Sequence, residues 1–164
     1  MKIFELENYN NIYISFYSEC GFSPSSFNYR INLFCYNKNY ELNIHPEEGV
    51  FNNEIKKSPI NKKKLNVDHS FFEHIYERLK NINFDAFIYD NSEVEDAGSV
   101  SFKIKKNKYI LEVYYFPFVI QEGRCNKNII ELDNVYKNLL NKINYKEWYS
   151  EIKKRYNLGD GISL

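Results

Sequence analysis

The sequence predicts an α+β fold in which an antiparallel sheet, made of an N-terminal meander and a hairpin in the C-terminal half, is covered by about three helices. Two observations predict this fold. Apolar residues alternate along residues 11–45 and 100–116, as they do in strands, whereas residues 71–82 and 129–156 carry them at three- and four-residue steps, as helices do. Strands and helices also come in blocks, and a doubly wound parallel sheet would alternate them throughout. We expect one domain over residues 1–164.

The first part of the chain predicts four strands, at residues 2–6, 11–18, 28–36 and 40–45. The second strand is recognised by the alternation of Ile12, Ile14 and Phe16. Residues 21–26 have the composition of a loop, and residues 37–39 are short enough to close a hairpin. An antiparallel meander is the simplest arrangement.

A helix is predicted after an irregular stretch. Residues 46–66 lose the periodicity, and we expect them to form a long surface connection. Asp68 is a typical N-cap residue, and the apolar residues that follow it form the stripe of a helix packed on one side. The stripe consists of Phe71, Phe72, Ile75, Tyr76, Leu79 and Ile82.

The strand pattern returns in the second half. We expect residues 84–89 to form a short buried strand, and an acidic segment over residues 90–98 follows it. Residues 100–104 then alternate strictly, residues 106–108 make a turn, and residues 109–116 complete the hairpin.

The C-terminal part predicts two helices, with apolar stripes over residues 129–143 and 148–156. Asn144 and Tyr145 are expected to kink or divide them. Gly159 is a natural C′ residue at which the second helix would stop.

Composition excludes several classes of function. The chain has 22 basic and 22 acidic side chains, so no global field draws it to nucleic acid or anionic lipid. No segment approaches the roughly 18 to 20 apolar residues of a membrane-spanning helix. Glu5 and Glu7 interrupt what would be the apolar core of a signal peptide. We therefore expect a cytoplasmic protein with no membrane partner.

Catalytic candidates are few. His69 and His74 lie five positions apart on one predicted helix, roughly 140° around it, so they cannot chelate one metal together. Cys20, Cys35 and Cys125 are odd in number and widely spaced, which predicts reduced thiols rather than disulfides or a zinc site. No phosphate or dinucleotide glycine motif occurs. The sequence predicts a protein that is not an enzyme and holds no cofactor or metal.

An acidic run is the main candidate for a binding surface. It contains Asp85, Asp90, Glu93, Glu95 and Asp96 without a compensating cation. Such carboxylates could hold Ca²⁺ or Mg²⁺, or form the metal cluster of a nuclease, but their spacing fits no EF-hand loop. A solvated loop and an acidic patch that faces a protein partner are the other interpretations.

Lysines form two local patches, of Lys56, Lys57, Lys62, Lys63 and Lys64 and of Lys103, Lys105, Lys106 and Lys108. Lysines along a hairpin discourage edge pairing of strands. Nucleic-acid binding would need aromatic side chains on the same face of the sheet as the lysines. Alternation along the strand instead places Phe102 and Ile104 on one face and Lys103 and Lys105 on the other. Nucleic acid is therefore a disfavoured partner.

At class level the chain resembles the immunity proteins of bacterial toxin systems, including those paired with contact-dependent inhibition toxins. The likeness rests on a small chain rich in Asn, Lys, Ile and Tyr, the α+β prediction, and an acidic segment without enzymatic motifs. The resemblance implies a tight complex with one cognate toxin, in which the chain blocks the active site or an exosite of the toxin. Our hypothesis beyond the resemblance is that the toxin is nuclease-like and that Asp90, Glu93, Glu95 and Asp96 are the partner-binding residues. They would engage a basic substrate cleft, with nearby aromatic residues as anchors.

Two alternatives stay open beside protein binding. The first is a metal-dependent nuclease or related hydrolase that uses the carboxylates of residues 90–96. The second is a nucleic-acid-binding module that uses the lysine patches, whose affinity would collapse with added salt.

Overall fold

The computed structural model describes residues 2–4, 11–20, 25–48, 53–86, 98–121, 123 and 127–159. The strands within these residues are β1 (Ile12–Glu19), β2 (Tyr29–Tyr36), β3 (Asn39–Pro46), β4 (Lys63–Asn66), β5 (Ser99–Lys106) and β6 (Tyr109–Tyr115). The helices are α1 (Asn53–Lys57), α2 (His69–Lys80), α3 (Pro117–Gln121), α4 (Lys127–Lys142) and α5 (Tyr145–Arg155). Short 3-10 turns occupy Lys2–Phe4, Pro59–Asn61 and Phe84–Ala86.

The described strands form one antiparallel sheet in the order β4-β3-β2-β1-β5-β6. β1 lies near the middle and pairs with β2 on one side and β5 on the other. Ile14 stands opposite Leu33 and also opposite Ile104, so the inward side chains of three strands form one row. The α+β prediction, with a meander and a C-terminal-half hairpin in one antiparallel sheet, is confirmed.

The longer helices pack on one face of this sheet. Tyr136 of α4 lies over Phe16 with ring centroids 5.2 Å apart, and Trp148 of α5 meets Tyr29 at 5.9 Å. Phe72 of α2 is fully buried in the same core. We call the opposite face, on which no described helix packs, the open face. None of the described helices has the length and apolarity needed to cross a bilayer.

Most of the predicted strands and α2 are confirmed, with ends within about two residues of the expected ones. The β2–β3 turn contains Asn37 and Lys38 at φ 47° and 63°, the left-handed pair that matches the twist of a two-residue hairpin. The N-cap is also confirmed, because the carboxylate of Asp68 accepts a hydrogen bond from the backbone nitrogen of Phe71 at 2.8 Å.

Two predicted strands are wrong where the structure describes them. Residues 2–4 form a 3-10 turn instead of a strand, and Phe4 stacks on Phe84 at 6.1 Å. Phe84–Ala86 is also a 3-10 turn, and Phe84 stacks on Phe102 at 5.5 Å. Residues 5–6 and 87–89 lie outside the described residues. A short apolar run has no readable period, so its side chains can enter the core without pairing along the sheet.

The expected surface connection of residues 46–66 is also wrong from residue 53 onward. This part contains α1 and the edge strand β4, whose Leu65 lies opposite Leu42. Asn61 is buried between them and donates to the carbonyl of Ile55 at 2.7 Å, while Trp148 Nε1 donates to the carbonyl of Asn61 at 2.7 Å. A four-residue strand is too short to reveal its period in sequence.

The division between α4 and α5 is confirmed, but the end of α5 differs from the prediction. Asn144 has φ 55° and ψ 55°, a left-handed conformation that breaks the helix. At the other end Asn157 has φ 53°, and the nitrogen of Leu158 donates to the carbonyl of Lys153 at 2.9 Å. This is a Schellman motif with Asn157 at C′, two residues before the predicted C′ residue Gly159.

Candidate functional site

The acidic residues chosen from the sequence, Asp90, Glu93, Glu95 and Asp96, lie outside the described residues. Asp85, the first member of the acidic run, is exposed on its 3-10 turn. In the described part of the chain, no three His, Cys, Asp or Glu side chains come together in a way that could hold a metal ion. The open face brings together polar and aromatic residues that can form a binding surface.

A chain of polar side chains crosses the open face from β1 to β3. Tyr13 Oη donates to Asn32 Oδ1 at 2.7 Å, Asn32 Nδ2 donates to Asn43 Oδ1 at 2.9 Å, and Asn43 Nδ2 donates to Glu41 Oε1 at 3.1 Å. Both asparagines are buried although no described helix covers them. Buried polar groups that are hydrogen-bonded in series hold one another in place. The Tyr13 ring therefore has a defined orientation on the surface.

Arg30 organises the neighbouring part of the open face. One guanidinium nitrogen donates to Ser15 Oγ at 3.0 Å, Nε donates to Glu47 Oε1 at 3.0 Å, and the group lies 5.0 Å from the centre of the Tyr17 ring. Asn28 Nδ2 donates to the Tyr17 hydroxyl at 3.0 Å. Burial raises the pKa of Tyr17, so its hydroxyl keeps its proton at neutral pH. Tyr17 is thus a second aromatic ring held in place on this face.

His45 lies on β3 opposite Arg30. Its Nδ1 is 3.7 Å from Glu47 Oε1, but burial is the larger influence and lowers the pKa of His45 below its ordinary value. The ring is therefore neutral at pH 7. Glu47 pairs instead with two cations, Arg30 Nε at 3.0 Å and Lys56 Nζ at 3.6 Å.

The open face also has a shallow apolar depression. Its volume is about 420 Å³, and its lining consists of Asn11, Ile12, Tyr13, Phe34, Cys35 and Tyr36. Tyr13 and Phe34 are half-buried and stand directly opposite each other on β1 and β2. We call this site the aromatic depression. Because Asn32 already holds Tyr13 in place, binding of an apolar group in the depression would cost little conformational entropy of this side chain.

Opposite charges flank the two rings. Glu41 is the cross-strand partner of Phe34 on β3, and Lys105 is the cross-strand partner of Tyr13 on β5. Neighbouring strands lie about 4.8 Å apart, which separates the Glu41 and Lys105 backbones by roughly 14 Å. The aromatic depression therefore lies between a carboxylate on one side and an ammonium group on the other.

The lysine patch of the hairpin is smaller than the sequence predicts. Lys106 is fully buried on the helix-covered face, and its Nζ donates to Tyr76 Oη at 3.1 Å. The turn has two residues, Asn107 and Lys108, so Lys106 stays in β5 with the inward orientation of Ile104. Burial lowers the pKa of Lys106. Its assignment to a surface patch was wrong.

Lys103 and Lys105 do lie on the open face. Within β5 they point away from Phe102 and Ile104, which are fully buried on the other face, as the alternation predicts. The neighbouring strand nevertheless supplies an aromatic side chain, because Tyr13 pairs with Lys105. Alternation along one strand says nothing about the residues that pairing brings alongside it.

The aromatic residues of the open face were not chosen from the sequence as site residues. A detectable signal existed, because Tyr13, Tyr17 and Phe34 occupy positions between inward residues, where a sheet covered on one face normally carries polar side chains. Their proximity depends on the pairing of β1 with β2, which no local pattern shows.

No protein-family model and no curated protein matches this chain. The functional proposal therefore depends on the chemistry of the open face.

Proposed function

We propose that the chain is a small protein-binding protein and that a partner protein docks on the open face, with an apolar side chain in the aromatic depression. The observation that carries this proposal is the pair Tyr13 and Phe34, of which Tyr13 is held in place by Asn32. Glu41 and Lys105 flank the pair. Protein interfaces concentrate their binding energy in such central aromatic residues, with polar and charged groups around them. Because one negative and one positive charge flank the rings, they would select the partner and orient it, without attracting charged molecules in general.

The partner that we propose is a cognate bacterial toxin, as the resemblance to immunity proteins implies. We propose a nuclease-like toxin, because its basic substrate cleft would complement the acidic segment. An inhibitor of this kind needs a tight interface and no catalytic machinery. Asp90, Glu93, Glu95 and Asp96 are a second contact in this proposal, directed at the basic substrate cleft of the toxin. The open face would then supply the apolar anchor, and the acidic segment would supply charge complementarity.

The test is the affinity of this chain for the toxin domain encoded upstream of its gene, measured by calorimetry. We expect Phe34→Ala to weaken binding at least about tenfold, or 1.4 kcal/mol, because it removes a ring at the centre of the interface. Phe118→Ala is the matched control, since Phe118 is a Phe on α3 with 43% of its surface exposed. We expect it to leave the affinity unchanged.

Each result has a separate consequence. Unchanged affinity in Phe34→Ala, or an equal loss in Phe118→Ala, would exclude the aromatic depression as the binding centre. Absence of a toxin gene upstream would remove the immunity part of the proposal. Saturable binding of Mg²⁺, Mn²⁺ or Ca²⁺ in the same calorimeter would instead favour the metal-dependent hydrolase.

A second candidate function is supported by one observation. Tyr13 beside Lys105 combines a stacking ring with a cation, as surfaces that bind single-stranded nucleic acid do. Glu41 and Glu112 on the same face oppose it, because both would repel phosphate. An oligonucleotide affinity that collapses between low and moderate salt and is lost in Lys105→Glu would favour this function over protein binding.

A further inference from the structure

The two edges of the sheet are unequally protected. β4 has 4 residues, of which Lys63 and Lys64 are charged. Shortness and lysines are the features by which sheet edges avoid pairing with other chains. β6 has 7 residues, no lysine and one charged side chain, Glu112. Among the described strands, β6 pairs only with β5.

The side chains of β6 are unusually apolar for an exposed edge. On the open face Ile110 is 56% exposed and Tyr114 is 43% exposed, on either side of Glu112. On the other face the 3-10 turn Lys2–Phe4 contacts β6, but Leu111 and Val113 are still only half-buried, so the cover over β6 is incomplete. Such a strand presents a backbone edge and apolar side chains to an added strand.

Three of the four hairpin lysines do not lie on this edge. Lys103 and Lys105 belong to β5, which is paired on both sides by β1 and β6. Lys106 is buried against Tyr76. Lys108 lies in the turn, with its Nζ 5.6 Å from the centre of the Tyr109 ring, so it protects only the first end of β6. The expectation that hairpin lysines discourage edge pairing therefore does not apply to the middle of β6.

The charge of Glu112 distinguishes two chains that could pair with β6, a second copy of this protein and a different protein. A second copy that paired with all of β6 by two-fold symmetry would place Glu112 opposite Glu112, since it is the central residue of the strand. Like charges directly opposite each other destabilise a strand pair, and a shifted register shortens the pairing. Lys103 is 4.0 Å from Glu112, whose side chain stays 60% exposed and open to a further cation. Charge complementarity thus favours a different chain that carries Lys or Arg at this position.

We propose that β6 is a strand-addition site for an extended segment of a partner protein, with a basic residue opposite Glu112 and apolar residues opposite Ile110 and Tyr114. The added segment becomes a seventh strand beside β6, bound by backbone hydrogen bonds, and the paired charges set its register. The site lies two strands away from β1 and the aromatic depression. The strand-addition site can therefore be tested independently of the proposed function.

The probe is a capped synthetic peptide, Ser-Val-Tyr-Val-Lys-Val-Tyr-Val-Ser, whose Tyr, Lys and Tyr share one face of a strand. A second peptide carries Glu in place of Lys. We expect the lysine peptide to bind the full chain saturably and to slow hydrogen exchange of the β6 amides, as followed by NMR. Glu112→Lys should weaken this binding about tenfold, and the glutamate peptide should bind this variant better than the lysine peptide.

Glu151→Lys on α5 is the matched control, because it makes the same charge change at an exposed position of a helix. It should leave the affinity for the lysine peptide unchanged. Protection of β4 amides instead of β6 amides, no saturable binding, or equal affinities of the wild type and Glu112→Lys would overturn the proposal. Self-association that protects the β6 amides without peptide would overturn it in favour of a second copy.

Discussion

Tyr115→Phe tests the contact that joins the end of β6 to α4. Tyr115 is buried, and its hydroxyl donates to Asp133 Oδ1 at 2.8 Å. Asp133 is buried on α4, where its other oxygen pairs with Lys137 Nζ at 2.9 Å. Burial raises the pKa of Tyr115 well above its ordinary value, so the hydroxyl keeps its proton and remains the donor at neutral pH.

The expected loss of stability follows from this geometry. A hydrogen bond to a charged acceptor contributes about 1.5 to 3 kcal/mol. Lys137 continues to pair with the carboxylate in the variant, so the lower part of this range applies, about 1.5 to 2 kcal/mol. At roughly 2 to 4 °C per kcal/mol for a chain of this size, the melting temperature should fall by about 3 to 8 °C.

The assay is urea unfolding followed by circular dichroism, with the free energy of unfolding compared at equal m values. Tyr36→Phe is the matched control, because Tyr36 is 60% exposed and loss of its hydroxyl should change stability by less than about 0.5 kcal/mol. The double variant Tyr115→Phe with Asp133→Asn should lose less free energy of unfolding than the two single variants lose in sum, because the two residues share one hydrogen bond. A loss in Tyr115→Phe no larger than that in Tyr36→Phe would refute the reasoning.

Two further predictions concern pH and the acidic segment. Because burial lowers the pKa of His45, the unfolded chain takes up a proton near its ordinary pKa of 6.5 while the folded chain does not. The free energy of unfolding should therefore decrease as the pH falls from 7 through that value, and urea titrations of His45→Gln should show a flatter dependence. Reversing the charges of Glu93, Glu95 and Asp96 to Lys should weaken binding to the toxin without steepening its salt dependence. Unchanged affinity in calorimetry would show that this segment is not the interface.

Much of the fold was readable from local patterns. The alternation of Ile12, Ile14 and Phe16 assigned β1 and its inward face, and Asp68 marked the start of α2. Both signals depend only on neighbouring residues of the chain. The pleat of a strand makes side chains alternate between its faces, and the free backbone nitrogens at the start of a helix need a capping side chain. Residues 2–4 and β4 were misjudged because three or four residues carry no measurable period.

The candidate surface was less predictable than the fold. Sequence reasoning pointed to Asp90, Glu93, Glu95 and Asp96, which lie outside the described residues, and it did not single out Tyr13 or Phe34 as site residues. An acidic run is visible because its members are consecutive. An aromatic depression is not, because its members come from two strands and meet only when those strands pair.

The sequence by itself determined which side chains of each regular strand face the core, because pleating alternates them with a period of two. It also determined that helices cover the sheet, through the apolar stripes of α2, α4 and α5. Only the tertiary structure decided that β1 lies between β2 and β5, with Lys105 beside Tyr13, and that Glu112 lies on the last strand of the described sheet. Strand order depends on contacts between distant segments, and local propensity and periodicity do not specify those partners.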